Sequence, residues 1–444
     1  MMNEEKIVED KEILDSGSQT VDASPTKGFF IYMITRDIYI RPAIVELIDN
    51  AIDGAKRVCP DGNYTGKKVE IFFDSDKFVI RDNCGGIGIE TATKYAFKFG
   101  RPDERPGENG QLFTGVFGIG MKRALFKLGR HFTVKSTTDI DSFTVDVDVD
   151  KWIEDQKNWT FPITIENKDG LECGTEIIVD KLNKESKLRF STQAFENDLI
   201  LYIEKYRSVE TEKGLEIYVN NKLITAAKDS LIENESIVPY KTIIKDEEAT
   251  IRIVAGITHF GKPQNAGWYV YCNGRLVLYA DKTETTGWGN DYRLYHPSLA
   301  AFRGYVFFES KNLFALPWNT TKTGVDNLNR LYVLAREKMK EAAQQVFRAI
   351  DDVRKTMDVD VDGFEELPFM KNAKEIDMNY SYLSSINTTS DFKITQPEER
   401  PKLARISFTG LAEEVEKVQK HIGASSRKEL GEKLFQYYVE MENI

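Results

Sequence analysis

Four short runs of chemically capable residues fall in order within the first 176 positions of this 444-residue chain. The first, Glu46-Leu47-Ile48-Asp49-Asn50-Ala51-Ile52-Asp53, spaces three carboxylates and an amide three or four residues apart. At about 100° per residue they fall on one side of a helix, opposite an apolar stripe of Ile44, Ile48, Ala51, Ile52 and Ala55. Such groups can take up a proton or bind a hard cation, although an ordinary amphipathic helix also carries polar residues there. The second run, Asp82-Asn83-Cys84-Gly85-Gly86-Ile87-Gly88, ends a strand with residues that let the backbone approach a neighbour closely, and alone it reads equally as a turn. The third, Gly115-Val116-Phe117-Gly118-Ile119-Gly120-Met121-Lys122, sets glycines before a helix N-terminus, where free N–H groups and the helix dipole attract anions. Lys122 in the first turn can add a point charge to a phosphate. From Ile119 to Lys135 there are five lysines and arginines and no acidic residue, as a phosphate site would favour. The run is not a P-loop, since no Gly-Lys-Ser/Thr is present, and no dinucleotide fingerprint precedes it. The fourth is Gly174-Thr175-Glu176. Together and in this order the four runs specify a nucleotide site.

In these runs the chain resembles the GHKL superfamily of ATPases (gyrase B, HtpG-type chaperones, histidine kinases, MutL), and within it the MORC-like and MutL-like members. The resemblance implies roles. Glu46 matches the general base that polarises the attacking water, and Asn50 the residue whose side-chain oxygen ligates Mg²⁺. Asp49 and Asp53 take supporting positions, with Asp53 counted among the nucleotide-binding residues. Asp82 matches the carboxylate that accepts the adenine amino group, with Gly86 and Gly88 giving the base close access. Gly115, Phe117, Gly118, Gly120 and Lys122 match the loop around the phosphates, and Thr175 matches the threonine that reaches the adenine. Histidine kinases generally lack the carboxylate at the Glu46 position, so its presence favours hydrolysis over phosphotransfer.

The elements that must carry these residues are legible in outline. Residues 41–58 read as a helix, 68–81 as a hairpin turning at Ser75-Asp76, and 89–114 as a mobile lid. Residues 120–129 read as a helix closed by Gly129, followed by strands that complete a mixed sheet. A second β-rich unit is expected from about 186. Asn220-Asn221 and Asn273-Gly274 stand where tight hairpins need positive φ angles. A long helix follows at about 326–356. Between sheet and helix lies Pro317-Trp318-Asn319-Thr320-Thr321-Lys322-Thr323-Gly324. Lys322 resembles the transducer-domain lysine that reaches the γ-phosphate in gyrase- and MutL-like members, although gyrases carry glutamine where Thr321 stands.

The last stretch reads as strand, helix, helix, with Ser426 to Glu429 as a capping box. It resembles ribbon-helix-helix proteins, in which Lys402, Arg405 and Ser407 would face DNA bases. From Arg400 onward, however, eight basic residues nearly cancel seven acidic ones, so phosphate attraction there is weak and a dimerising role is equally open.

The expected fold class is α+β. A GHKL (Bergerat) ATP-binding α/β sandwich over 28–185 follows a flexible arm over 1–27. A transducer-like (ribosomal S5-like) α/β domain spans 186–356, a linker 357–397, and a C-terminal ribbon-helix-helix-like or dimerisation module 398–444. Net charge is −11, so the whole molecule is not a generic polyanion binder. No apolar run approaches the roughly 18 residues that cross a bilayer, and no membrane partner is expected. The polar N-terminus does not resemble a secretory signal, and four cysteines without a CxxC pair suit a reducing cytoplasm. Asp358 to Gly363 opens like a calcium loop, but Phe369 stands where that loop requires glutamate. The implied function is a cytoplasmic ATPase with Mg²⁺ as cofactor, working as an ATP-gated homodimeric clamp on double-stranded DNA. An HtpG-like chaperone and a slow ATP-sensing assembly protein are the alternatives.

Overall fold

Val69, Ile71 and Phe73 alternate with Lys68, Glu70 and Phe72, so β1 (Lys68–Phe73) turns one apolar face inward. It doubles back into β2 (Phe78–Asp82) through a turn in which the Asp74 carboxylate accepts from the N–H groups of Asp76 and Lys77. The structure is a computed structural model and describes residues 21, 23–100, 118–226, 229–319, 321–357, 370, 372–395, 407 and 409–442. Two compact units result, residues 1–396 and residues 397–444.

The first unit holds two sheets. The larger adds β3 (Gly129–Thr137), β4 (Ser142–Asp148), β5 (Ile163–Glu166), β6 (Gly174–Leu182), β7 (Glu216–Val219) and β8 (Lys222–Leu223), in the order β5-β4-β3-β6-β2-β1-β7-β8. All its pairings are antiparallel except β1 with β7. Its buried residues share one core with the helices α1 (Lys27–Thr35), α2 (Ile40–Val58), α4 (Gly120–Leu128) and α7 (Gln193–Tyr206). Between α2 and α4 lies the short turn α3 (Ile89–Thr91), continued by a π-helical turn at Ala92–Ala96. The other face is polar, with pairs such as Thr133 with Asp146 and Lys181 with Asp148, as a half-solvated antiparallel sheet requires.

The expected boundary at 186 does not separate the sheets. β7 pairs with β1 and α7 adds Phe195, Leu199 and Ile203 to the first core, so chain up to about 224 belongs to the first layer. The Asn220-Asn221 hairpin itself forms as expected, with φ of 45° and 66°. The pairing of β7 with β1 joins segments some 150 residues apart in sequence and leaves no local pattern.

The second sheet contains β11 (Tyr240–Lys245), β12 (Thr250–Ile257), β13 (Gly267–Cys272), β14 (Arg275–Asp281) and β15 (Phe302–Glu309), in the order β11-β12-β15-β13-β14. β13 is buried throughout because both faces are covered. The helix Arg330–Met357 packs Tyr332, Ala335, Met339 and Val346 on one side. On the other side Tyr269, Tyr271, Tyr305 and Phe307 meet Met378, Leu383 and Ile386. Those last three come from the stretch read as linker. Within it Lys374–Asp377 pairs with Ser230–Glu233, Tyr380–Ser385 is helical, and Lys393–Ile394 pairs with Ile237–Val238. Its strands are too short and polar to show a period, while residues 358–369 lie outside the described residues.

The second unit has two helices, Ala412–Ile422 and Arg427–Glu442, with Gly423 left-handed at φ 65° between them. Ser426 Oγ accepts from Glu429 N at 3.1 Å, while the Glu429 carboxylate accepts from Ser425 N, one residue earlier than the expected box. Ser407 is exposed and outside any strand; Lys402 and Arg405 lie outside the described residues. Among the described residues no helix is long and apolar enough to cross a membrane.

Candidate functional site

Helix α2 is buried at fourteen of its nineteen positions, including Glu46, Asp49 and Asp53, so its polar stripe is not a solvated face. It presents two polar faces to two neighbours. Leu47, Asn50, Ala51, Gly54 and Arg57, at helical spacing, line a cleft of about 390 Å³ that opens to solvent. Glu46 and Asp49 face cations brought in from the second sheet.

The cleft is also lined by Asp82 and Thr175, which are register partners across β2 and β6. Asp82 Oδ1 accepts from Cys84 N at 2.8 Å. Burial nevertheless pushes its carboxyl up to about 6, against the Cys84 and Thr175 N–H groups and the charge of Arg57. The Thr175 hydroxyl lies 3.0 Å from Ser136 Oγ, which also accepts from Ile87 N at 2.8 Å. Ser136 thus ties the threonine to the glycine loop. A serine on the inward face of an otherwise apolar strand was the available signal for it. Arg57 was equally unforeseen; its Nη2 donates to Gly86 O at 3.1 Å on the cleft wall.

The glycines serve packing around the cleft. Gly86 has φ +71°, and a Cβ there would fall 2.1 Å from Thr137 O. Gly88 has ordinary backbone, and its nearest neighbour to a Cβ would be 3.8 Å away, so close access does not require glycine there. Gly118 takes φ +63° and leads to α4, whose N-terminus has no side-chain cap and leaves N–H groups for an anion. Gly115 and Phe117 lie outside the described residues.

Two expected nucleotide contacts sit elsewhere. Asp53 is 3.7 Å from Lys56 and does not line the cleft. Lys122 is 2% exposed, and its Nζ donates to Ala96 O at 2.7 Å and to Gly118 O. Burial pushes its amine down to about 7. It fastens the glycine loop to the Ala92–Ala96 turn and does not line the cleft.

Beside the cleft, Glu46 meets residues from far along the chain. Lys322 Nζ lies 3.5 Å from Glu46 Oε2 and 3.7 Å from Asp49 Oδ2. Its loop is shaped by the Asn319 side chain, which accepts from Thr323 N, and Lys322 itself is left-handed at φ 52°. Arg275 lies 3.5 Å from Glu46 Oε1 and also contacts Asp49, which Arg207 contacts on its other oxygen. Burial lowers the Lys322 amine to about 8 against the pull of Glu46. Burial would raise the Glu46 pKa, but Lys322, Arg275, Arg123 and Arg207 outweigh it and hold the carboxyl below its usual range. The site therefore pairs the Glu46 carboxylate with a buried lysine and arginine from the second sheet, beside the cleft that Leu47 and Asn50 line.

Residues 38–187 match the family model for histidine kinase-, DNA gyrase B- and HSP90-like ATPases. They carry a GHKL-type ATPase domain. ATP is the ligand this domain implies for the Asp82 cleft, within a mixed α+β fold. The match ends before Arg207, Arg275 and Lys322. No curated protein matches the chain.

Proposed function

We propose that the protein is a Mg²⁺-dependent ATPase in which hydrolysis at Glu46 is sensed by the second sheet through Lys322. The observation that carries this reading is the approach of Lys322 to Glu46, 276 residues away in sequence, on the helix whose Leu47 and Asn50 line the cleft. Asp82 accepts the adenine amino group, and the α4 N-terminus receives the phosphates. Water attacks the γ-phosphorus, Glu46 takes the water proton, and ADP leaves with the bridging oxygen. Lys322 transfers its charge from Glu46 to the γ-phosphate oxygens.

The donor set suits magnesium. Asn50 is exposed at the cleft with one amide oxygen to offer, and the described residues hold no cluster of three acidic, histidine or cysteine ligands. Mg²⁺ takes one or two protein oxygens and completes its shell with phosphates and waters. Asn50 would hold it, and bound there it would neutralise phosphate charge.

Because Lys322 contacts the γ-phosphate and not ADP, ATP and ADP favour different arrangements of the two sheets. The MORC-like resemblance extends this to a homodimeric clamp that closes on double-stranded DNA, with residues 397–444 as the DNA-contacting or dimerising module. ATPase assays with added duplex DNA or unfolded protein test the client. Stimulation by DNA alone supports the clamp, and stimulation by unfolded protein alone overturns it in favour of a chaperone.

A further inference from the structure

Each oxygen of Glu46 faces one cation from the second sheet: Lys322 at 3.5 Å from Oε2 and Arg275 at 3.5 Å from Oε1. The two cations are held differently. Lys322 hangs from a loop and contacts two carboxylates at 3.5 and 3.7 Å. Arg275 is 2% exposed and opens β14 directly after a stapled turn. In that turn Asn273 has φ 48° and Gly274 φ 83°, Asn273 Nδ2 donates to Ser310 O at 2.9 Å, and Ser310 N donates back to Asn273 Oδ1 at 3.0 Å. The same Arg275 nitrogen, Nη1, contacts Asp49 and lies 3.5 Å from Glu46 Oε1. Neutralising Asp49 needs only one cation, and Arg207, at the end of α7, already supplies it. The second guanidinium is therefore surplus to the charge of Asp49, and its additional contact is with Glu46.

We infer that Arg275 is a positioning residue for ATP hydrolysis: anchored on Asp49, it holds Glu46 Oε1 when the γ-phosphate draws Lys322 away from Oε2. The released Oε2 is then the free oxygen that accepts the water proton, while the carboxylate cannot swing out of line. This inference rests on the ATPase reading above. Arg275 is not among the residues that line the cleft, and its contacts are with Glu46 and Asp49.

Steady-state ATP hydrolysis by the full chain tests it, comparing wild type with Arg275→Met, Arg275→Lys and Glu46→Gln. Arg275→Met is expected to lower kcat on the order of 10²-fold with KM for ATP unchanged, the size of effect that misplacing a reacting group produces. Arg275→Lys is expected to recover part of that loss. Wild-type kcat in Arg275→Met overturns the inference, as does a loss carried by KM. If Arg275→Met does not fold, Arg275→Lys carries the test. An ammonium on the shorter lysine stem does not reproduce the planar, rigid guanidinium, so a fall in kcat on the order of tenfold at unchanged KM is expected, and wild-type kcat overturns the inference. Wild-type protein without Glu46-dependent hydrolysis overturns the ATPase reading and this inference with it. Glu46-dependent hydrolysis with unaffected Arg275 variants overturns this inference alone.

Discussion

Gly120 packs so closely on Glu46 that a Cβ at position 120 would fall 2.2 Å from Glu46 Oε2. The glycine at the start of α4 therefore leaves the space that the Glu46 carboxylate occupies. Gly120→Ala is expected to displace the carboxylate and lower ATP turnover on the order of 10²-fold, although alanine is the better helix former by about 0.5–1 kcal/mol. Gly88→Ala, with nothing closer than 3.8 Å, is expected to keep wild-type turnover. A steady-state assay of both variants checks the contrast.

Removing the proton acceptor separates binding from hydrolysis. Glu46 does not line the cleft, so Glu46→Ala is expected to bind ATP, fail to turn it over, and remain in the ATP-bound dimeric form. Calorimetry and size-exclusion chromatography with ATP read the two properties. Loss of ATP binding would contradict the general-base assignment.

Asp49 is expected to be the costliest single position in the cluster. Its carboxylate joins Arg207 of the first layer to Arg275 of the second, all three being buried. Asp49→Ala leaves two buried guanidinium groups short of a partner, which costs about 3–5 kcal/mol for a buried pair. Urea denaturation monitored by tryptophan fluorescence measures it, and a loss near zero would show that the cluster does not join the layers.

Asp82 links ATP binding to pH. Its folded pKa of about 6 lies above the ordinary 3.8, so between these values the folded chain holds a proton that the unfolded chain has released. Its ionisation thus costs folding stability above about pH 6, and that cost is relieved as pH falls through about 6. Binding runs the other way, because only the carboxylate accepts the adenine amino group well. ATP affinity is expected to weaken as pH falls below about 6, by up to roughly tenfold per unit. Calorimetric titrations from neutral pH to about pH 5 should show this loss, and an affinity unchanged over that range would contradict the assignment of Asp82.

Legibility in the sequence followed the range of the interaction. Helix α2, the β1–β2 hairpin and the two asparagine turns rest on neighbours within a few residues, and their periods and φ demands are visible. The placement of Asp82 and Thr175 in one cleft also follows from the order of the motifs. Arg207 and Arg275 were not legible as site residues, because nothing local marks an arginine that will meet Asp49 more than 150 residues away. Lys122 misled for a physical reason: a lysine after a glycine loop suits a phosphate, but its stem is long enough to turn back and bind the loop's own carbonyl.

The separate compactness of residues 397–444 makes their contribution removable. Deleting them is expected to leave ATP hydrolysis intact and to abolish salt-sensitive retention on duplex DNA, read by filter binding across ionic strength. Retention unchanged by the deletion would place any DNA contact elsewhere.

The central claim is that the Asp82 cleft takes ATP, and isothermal titration of the folded full-length protein with ATP and Mg²⁺ tests it most directly. A saturable heat of binding at one nucleotide per chain, lost in Asp82→Asn, is the predicted result. No heat of binding from well-folded protein would contradict the account.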